Sequence, residues 1–66
     1  MKIWINGEVA ETNGAENIAE LVAYFGLHPG AVLIEHNAVA LRQREWSKRP
    51  LAEGDRIELV RVVAGG

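Results

Sequence analysis

The sequence predicts an α+β domain in which one main helix lies on a mixed sheet of four to five strands. Three observations carry that prediction. One stretch only, Ile18, Leu21, Val22 and Phe25, places apolar residues at i, i+3, i+4, i+7, the stripe of a helix. Short apolar or β-branched runs separated by turn residues flank it on both sides. The chain is 66 residues long, with 48% hydrophobic and 24% charged residues, enough for one small folded domain and no second one.

Lys2-Ile3-Trp4-Ile5 reads as the first strand, and Asn6-Gly7 as a tight turn of type I′, because both residues tolerate positive φ. Glu8 to Thr12 is the returning strand, thin in apolar content, and Gly14 ends it. Asn17 stands where a helix N-cap belongs, with Glu20 three residues on in the manner of a capping box. Gly26 is placed to close the helix in the left-handed conformation, with Pro29 just beyond. Ala31 to His36 is the next strand, Asn37 a turn residue, and Val39-Ala40-Leu41 a brief edge strand. Residues 42–50 read as a charged, irregular segment with Trp46 as its one large apolar residue. Glu53-Gly54-Asp55 is a turn, and 56–63 the last and strongest strand.

This order of elements is that of a β-grasp, ubiquitin-like fold. The first and last strands then run parallel in the middle of the sheet, joined through a crossover that contains the helix. Ile3, Ile5, Val32, Ile34, Ile57 and Leu59 point at the helix. The organisation is a domain over residues 1–63 followed by a flexible functional tail over 64–66.

Composition narrows the chemistry. Net charge is -2, with nine acidic and seven basic residues, so there is no electrostatic footprint of a phosphate-backbone binder and no nucleic-acid partner is expected. There are no cysteines, hence no disulfide, thiolate metal site or catalytic thiol. No apolar run reaches membrane length, and the expected location is cytoplasmic, without a membrane partner. Neither phosphate-cradling glycine motif is present, so the chain is expected to be activated by an ATP-using partner and not to be an enzyme itself. No bound cofactor or metal is expected.

The most informative residues are the last ones, Val62-Val63-Ala64-Gly65-Gly66. Ala64, Gly65 and Gly66 make a slim approach that fits a narrow channel and presents the Gly66 carboxylate. A carboxylate is a poor electrophile until it is converted to an acyl-adenylate, after which a nucleophile can attack it. The competing account is simple fraying or a cloning scar. Two glycines at one fixed place occur by chance in roughly 0.5% of chains, and here they follow the last strand at once.

Several stretches together resemble the ThiS family, the sulfur carriers of thiamine biosynthesis. They are Ile5-Asn6-Gly7-Glu8, Ile18-x-x-Leu21, Ile34-Glu35-His36-Asn37, the basic run from Arg42 to Trp46, Glu53-Gly54-Asp55-x-Ile57-Glu58 and Val63-Ala64-Gly65-Gly66. The resemblance spans the whole chain, with Asn17 where that family would have Thr. It implies that an E1-like adenylyltransferase of the ThiF type activates Gly66 with ATP. The product becomes a C-terminal thiocarboxylate, and a thiazole synthase of the ThiG type takes its sulfur. Without cysteine the chain has no other evident covalent way to hold sulfur. The small subunit of molybdopterin synthase, another sulfur carrier, a ubiquitin-like protein modifier and an inert interaction module stand as alternatives.

Period-2 counting puts Trp4, Leu33, Val60 and Val62 on the sheet face away from the helix, as an apolar patch near the tail suited to docking a partner. A register slip or bulge near Arg61, which strict alternation points inward, would move Val60 and Val62. His28 and His36 lack a third ligand at metal spacing and read as surface histidines. Glu53 and Asp55 read as turn chemistry and not as a catalytic pair. Arg42, Arg44, Lys48 and Arg49 read as a solvated loop with Trp46 folded back as a lid on the core, ahead of a partner contact or a nucleic-acid site.

Overall fold

The computed structural model describes residues 1–62; the predicted tail, Ala64, Gly65 and Gly66, and Val63 before it lie outside the described residues. Strand β1 (Lys2–Ile5) and strand β2 (Glu8–Glu11) form an antiparallel hairpin with Ile5 opposite Glu8. The two-residue loop between them holds Asn6 at φ 51° and Gly7 at φ 84°, the positive pair that a type I′ turn demands. Helix α1 (Ile18–Tyr24) follows. Strand β3 (Val32–His36) and the short β4 (Val39–Leu41) form a second hairpin, and β5 (Arg56–Arg61) ends the sheet.

The five strands lie in the order β2-β1-β5-β3-β4. β5 runs parallel to β1 and antiparallel to β3, so the last strand is clasped between the two hairpins. This is the β-grasp arrangement that the sequence predicts. The β3–β5 register is unbroken from Val32↔Arg61 to His36↔Ile57, so there is no bulge near Arg61. No helix among the described residues is long and apolar enough to cross a membrane.

Asn17 caps α1 by accepting from the Glu20 N–H at 2.8 Å. The Glu20 carboxylate accepts from the Glu16 N–H at 2.9 Å, one residue earlier than in a regular capping box. Gly26 stands at φ 67°, as a left-handed terminator should.

The core is Ile3, Ile18, Leu21, Val22, Val32, Ile34 and Ile57, with Trp46, Leu41 and Leu51 closing one end. Each such aliphatic side chain contributes about 1.5–3 kcal/mol by leaving water. Ile5 and Leu59 pack at its edge, so all six predicted inward residues face the helix.

Two expectations need correction. Phe25 is 41% exposed: the helix ends at Tyr24, so Phe25 is its C-cap and leaves the stripe, and Leu27 packs against the core in its place. The segment expected to be irregular contains a 3-10 helix, Gln43–Lys48, started by the Glu45 carboxylate accepting from the Arg42 N–H at 2.7 Å. That helix turns Trp46 into the core, where it is 4% exposed and serves as the predicted lid. Its buried Nε1 has no hydrogen-bond partner among the described residues.

Candidate functional site

The candidate site lies where β5 leads towards the terminal glycines. A parallel strand in mid-sheet is normally held on both sides, but β5 loses its neighbours unequally. On the β3 side the ladder continues past the strand, with the Val62 N–H donating to Ala31 O at 2.7 Å. On the β1 side, strand pairing stops at Ile5↔Ile57, and the Asn6 N–H donates to Ile57 O at 2.9 Å. The Asn6 side chain then takes over: Nδ2 donates to Leu59 O at 3.0 Å, and the Leu59 N–H donates to Oδ1 at 2.7 Å. The sequence shows Asn6 only as a turn former; that its carboxamide reaches a strand 53 residues away is visible in the structure alone.

Arg61 keeps the inward parity of Ile57 and Leu59, but it lies beyond the reach of α1 and is exposed. With Ile5, Phe25, Leu27 and Leu59 it lines an open groove of about 490 Å³ beside the helix end.

The opposite sheet face carries the four residues singled out for docking. Trp4 is 39%, Leu33 62%, Val60 57% and Val62 44% exposed. Leu33 and Val60 are direct cross-strand partners, and Val62 continues their row towards the tail. Trp4 sits elsewhere on this face. It pairs with Arg56, whose guanidinium lies 5.9 Å from the indole centre, and four residues of β5 separate that point from Val60, about 13 Å. Glu35 and Glu58, also paired across the strands, interrupt the apolar surface between them. The patch is therefore two islands: Leu33, Val60 and Val62 at the C-terminal end of β5, and Trp4 with the exposed Val9 beside its start.

At the far end of β5 the structure gathers polar residues that the sequence reading dispersed. His36 is 5% exposed, not a surface histidine, because it occupies an inward position of β3. Arg49 Nε donates to His36 Nδ1 at 2.9 Å, which leaves Nε2 as the proton-bearing nitrogen, donating to Asp55 Oδ2 at 2.6 Å. Asp55 also accepts from Asn37 Nδ2 at 3.1 Å and from the Ala52 N–H at 2.8 Å. Burial pushes the Asp55 carboxyl up, but the hydrogen bonds from His36, Asn37 and Ala52 outweigh it and hold the group below its ordinary value. Asp55 is thus a turn residue, as predicted, and also the hub of a buried network. The residue types were in plain view, but only the fold brings positions 36, 49 and 55 together. His28 is exposed and takes no part. Arg42, Arg44 and Lys48 remain in solvent, whereas Arg49 is drawn in.

This network lies at the opposite end of β5 from the tail, among paired groups, and offers no open position for a substrate. What the described residues offer at the C-terminal end of β5 is an exposed apolar island of Leu33, Val60 and Val62.

Comparison with known proteins identifies the family. The ThiS family model matches residues 3–66. The chain is 30% identical over 63 residues to the uncharacterised protein ycf40 of Trieres chinensis, covering 96% of this chain and 86% of that one. The crystal structure of the thiamine biosynthesis protein ThiS from Geobacter metallireducens superposes with a TM-score of 0.82 at 26% identity over the full length of both chains. A solution structure of a thiamine biosynthesis protein from the same organism gives 0.81 at 26% identity, covering all of this chain and 88% of the other.

Proposed function

The chain belongs to the ThiS family of small sulfur carriers, and we propose that it carries sulfur for thiamine biosynthesis on the carboxylate of Gly66. The observation that carries this reading is the family match over residues 3–66, a span that takes in Gly65 and Gly66 beyond the last strand, which ends at Arg61.

The reaction divides between carrier and partners. A carboxylate oxygen of Gly66 attacks the α-phosphorus of ATP on a ThiF-type adenylyltransferase; pyrophosphate leaves and an acyl-adenylate forms. A hydrosulfide-equivalent donor then attacks the acyl carbon, AMP departs, and a thiocarboxylate remains. A ThiG-type thiazole synthase accepts the sulfur, and the carboxylate is recovered as the acyl–sulfur bond breaks and an oxygen, from water or from the substrate that takes the sulfur, replaces it on the acyl carbon. Catalysis belongs to the partners. The carrier contributes the reacting carboxylate, the slender Ala64-Gly65 approach and a docking surface. Leu33, Val60 and Val62, at the end of the sheet where β5 finishes, are its centre, and Trp4 contributes less.

The small subunit of molybdopterin synthase and a protein modifier are the other roles a β-grasp domain with terminal glycines could play. The ThiS matches favour the thiamine pathway over both.

Intact mass spectrometry of the protein from thiamine-starved cells tests the proposal, with a Gly66 deletion as control. The expected result is a mass gain equal to exchanging one oxygen for sulfur, mapped to the C-terminal peptide and absent from the deletion. Unmodified protein in an extract where another sulfur carrier is charged would refute it. A ladder of isopeptide-linked species would assign the modifier role instead.

A further inference from the structure

In an antiparallel ladder successive residues turn their N–H and C=O groups to alternate sides. Val62 donates to Ala31 on the β3 side, so Val60 and Glu58 face β3 as well, while Arg61, Leu59 and Ile57 face β1. Ile57 O meets the Asn6 N–H, the last main-chain group β1 offers before the chain turns back into β2. Leu59 is then two residues beyond any strand partner on that side. The Asn6 carboxamide meets both of its main-chain groups, at 2.7 and 3.0 Å, in the two-bond pattern a strand residue would use. Asn37 treats the start of β5 alike: its N–H donates to Arg56 O at 2.7 Å, and its Oδ1 accepts from the Arg56 N–H at 2.8 Å.

We propose that Asn6 is a positioning residue for the C-terminal tail: its carboxamide extends β1 by one rung and fixes the heading with which β5 leaves the domain. The proposal rests on the carrier reading, since a heading matters only if the residues that follow are delivered to a partner's reacting centre. Without the Asn6 rung, the described residues of the strand after Ile57, as far as Val62, are held from the β3 side alone. A strand bonded along one edge can swing about that edge, and a small displacement at Leu59 grows along the residues that follow. Misplacement of a reacting group by about 1 Å can cost on the order of 100-fold in rate even when binding is unchanged. Here the group is seven residues from the clamp, and a loss of about 10-fold is expected. Asn6 therefore serves two functions through separate atoms: its backbone supplies the positive φ of the turn, and its side chain supplies the rung.

Substitution separates these roles. Asn6→Gly keeps the turn, because glycine adopts positive φ freely, and deletes the rung. Asn6→Asp keeps an acceptor for the Leu59 N–H but loses the donor to Leu59 O. Asn13→Gly is the matched control, a positive-φ asparagine at φ 53° in a turn that bonds Glu11 O and never touches β5. Steady-state adenylation by a ThiF-type adenylyltransferase would be followed as pyrophosphate release, at a temperature where far-UV circular dichroism shows every variant folded. Amide exchange at Leu59 would be read in parallel.

The expected result for Asn6→Gly is faster Leu59 exchange and a kcat lower by about 10-fold with KM for the carrier unchanged, with Asn6→Asp between it and the parent and Asn13→Gly equal to the parent. Loss of Leu59 protection with kcat intact would overturn the proposal and leave Asn6 a purely structural clamp. A rise in KM with kcat unchanged would overturn it too, since that pattern belongs to docking. If the parent chain itself releases no pyrophosphate with the enzyme, the carrier reading fails first and this inference falls with it.

Discussion

The two ends of β5 are built from the same device and finished differently. Each is held by an asparagine that leads a two-residue hairpin turn, Asn37 at Arg56 and Asn6 at Leu59. Around Asn37 the clamp is embedded in further polar contacts: Asp55, His36 and Arg49 satisfy one another in a buried chain. Around Asn6 no further side-chain network is present among the described residues; the next inward residue, Arg61, is exposed, and so is the row of Leu33, Val60 and Val62. One end is closed and anchors the strand. The other is open and hands the chain on. Stability should therefore concentrate at the first end and function at the second, and the two should separate under mutation.

The largest effects test that separation directly. Deleting Gly66 should abolish adenylation and thiocarboxylate formation while leaving the urea midpoint of the domain unchanged. Asp55→Ala should do the reverse. It strands the His36 Nε2–H, the Asn37 amide and the Ala52 N–H without an acceptor, at a cost of roughly 3 kcal/mol. For a domain of this length, expected to be stable by only ~3–10 kcal/mol, that is a large share. Below its melting point Asp55→Ala should still be adenylated at close to the parent rate. If both changes damaged stability and turnover together, the division between the ends would be wrong.

A smaller effect sharpens the open end. Replacing Leu33 and Val60 together by threonine puts a strand-favouring β-branched residue at both positions but removes apolar surface from the island at the end of β5. KM for the carrier in adenylation should rise by about 10-fold, equivalent to ~1.4 kcal/mol, with kcat and the urea midpoint nearly unchanged. Trp4→Thr should move KM less, because Trp4 lies about 13 Å along the sheet and is engaged with Arg56. An equal effect from Trp4 would merge the two islands into one docking face.

Acid sharpens the closed end. The Asp55 carboxyl is held below its ordinary 3.8, so the folded state favours its ionised form. Its contribution is fully present above that value and is lost as pH falls through it towards the lower value of the fold. Urea midpoints should therefore fall more steeply with acidification below about pH 4 in the parent than in Asp55→Asn, which cannot ionise. Parallel pH profiles would mean that the network does not favour the charged form.

These contrasts also separate what could be read from the sequence and what could not. The hairpins and the helix rest on local signals: Asn6-Gly7 for a turn, Ile18-Leu21-Val22 for a stripe, Gly26 for a stop. The family resemblance was legible because its pieces keep their order along the chain. His36 was misread because nothing near it in sequence can satisfy a buried imidazole; its partners are 13 and 19 residues away. Phe25 was misread because the periodicity that places it on the stripe says nothing of where the helix stops. Asn6 was half read, its backbone from the dipeptide and its side chain not at all. Local conformation is encoded locally, and satisfaction of polar groups is not.

The smallest expected effect lies in the turn that differs most from its counterpart. Asn6-Gly7 has glycine at the second left-handed position, whereas Asn37-Ala38 has alanine there, at φ 71°. An L-residue with a Cβ in that region is strained by about 1 kcal/mol relative to glycine. Ala38 is exposed and its methyl group contributes nothing to the core, so Ala38→Gly loses no packing. Against the relief of strain stands the greater freedom glycine gives the unfolded chain, which offsets part of the gain. The net should be a stabilisation of roughly 0.5 kcal/mol, read as a higher urea midpoint with an unchanged slope. Because Asn37 already fixes β5 through Arg56 and Asp55, tightening this turn should leave adenylation untouched. The reciprocal change, Gly7→Ala, introduces the same strain at the open end, beside the asparagine that holds Leu59. If the two ends divide stability from delivery, Gly7→Ala should lower kcat as well as the midpoint, while Ala38→Gly moves the midpoint alone.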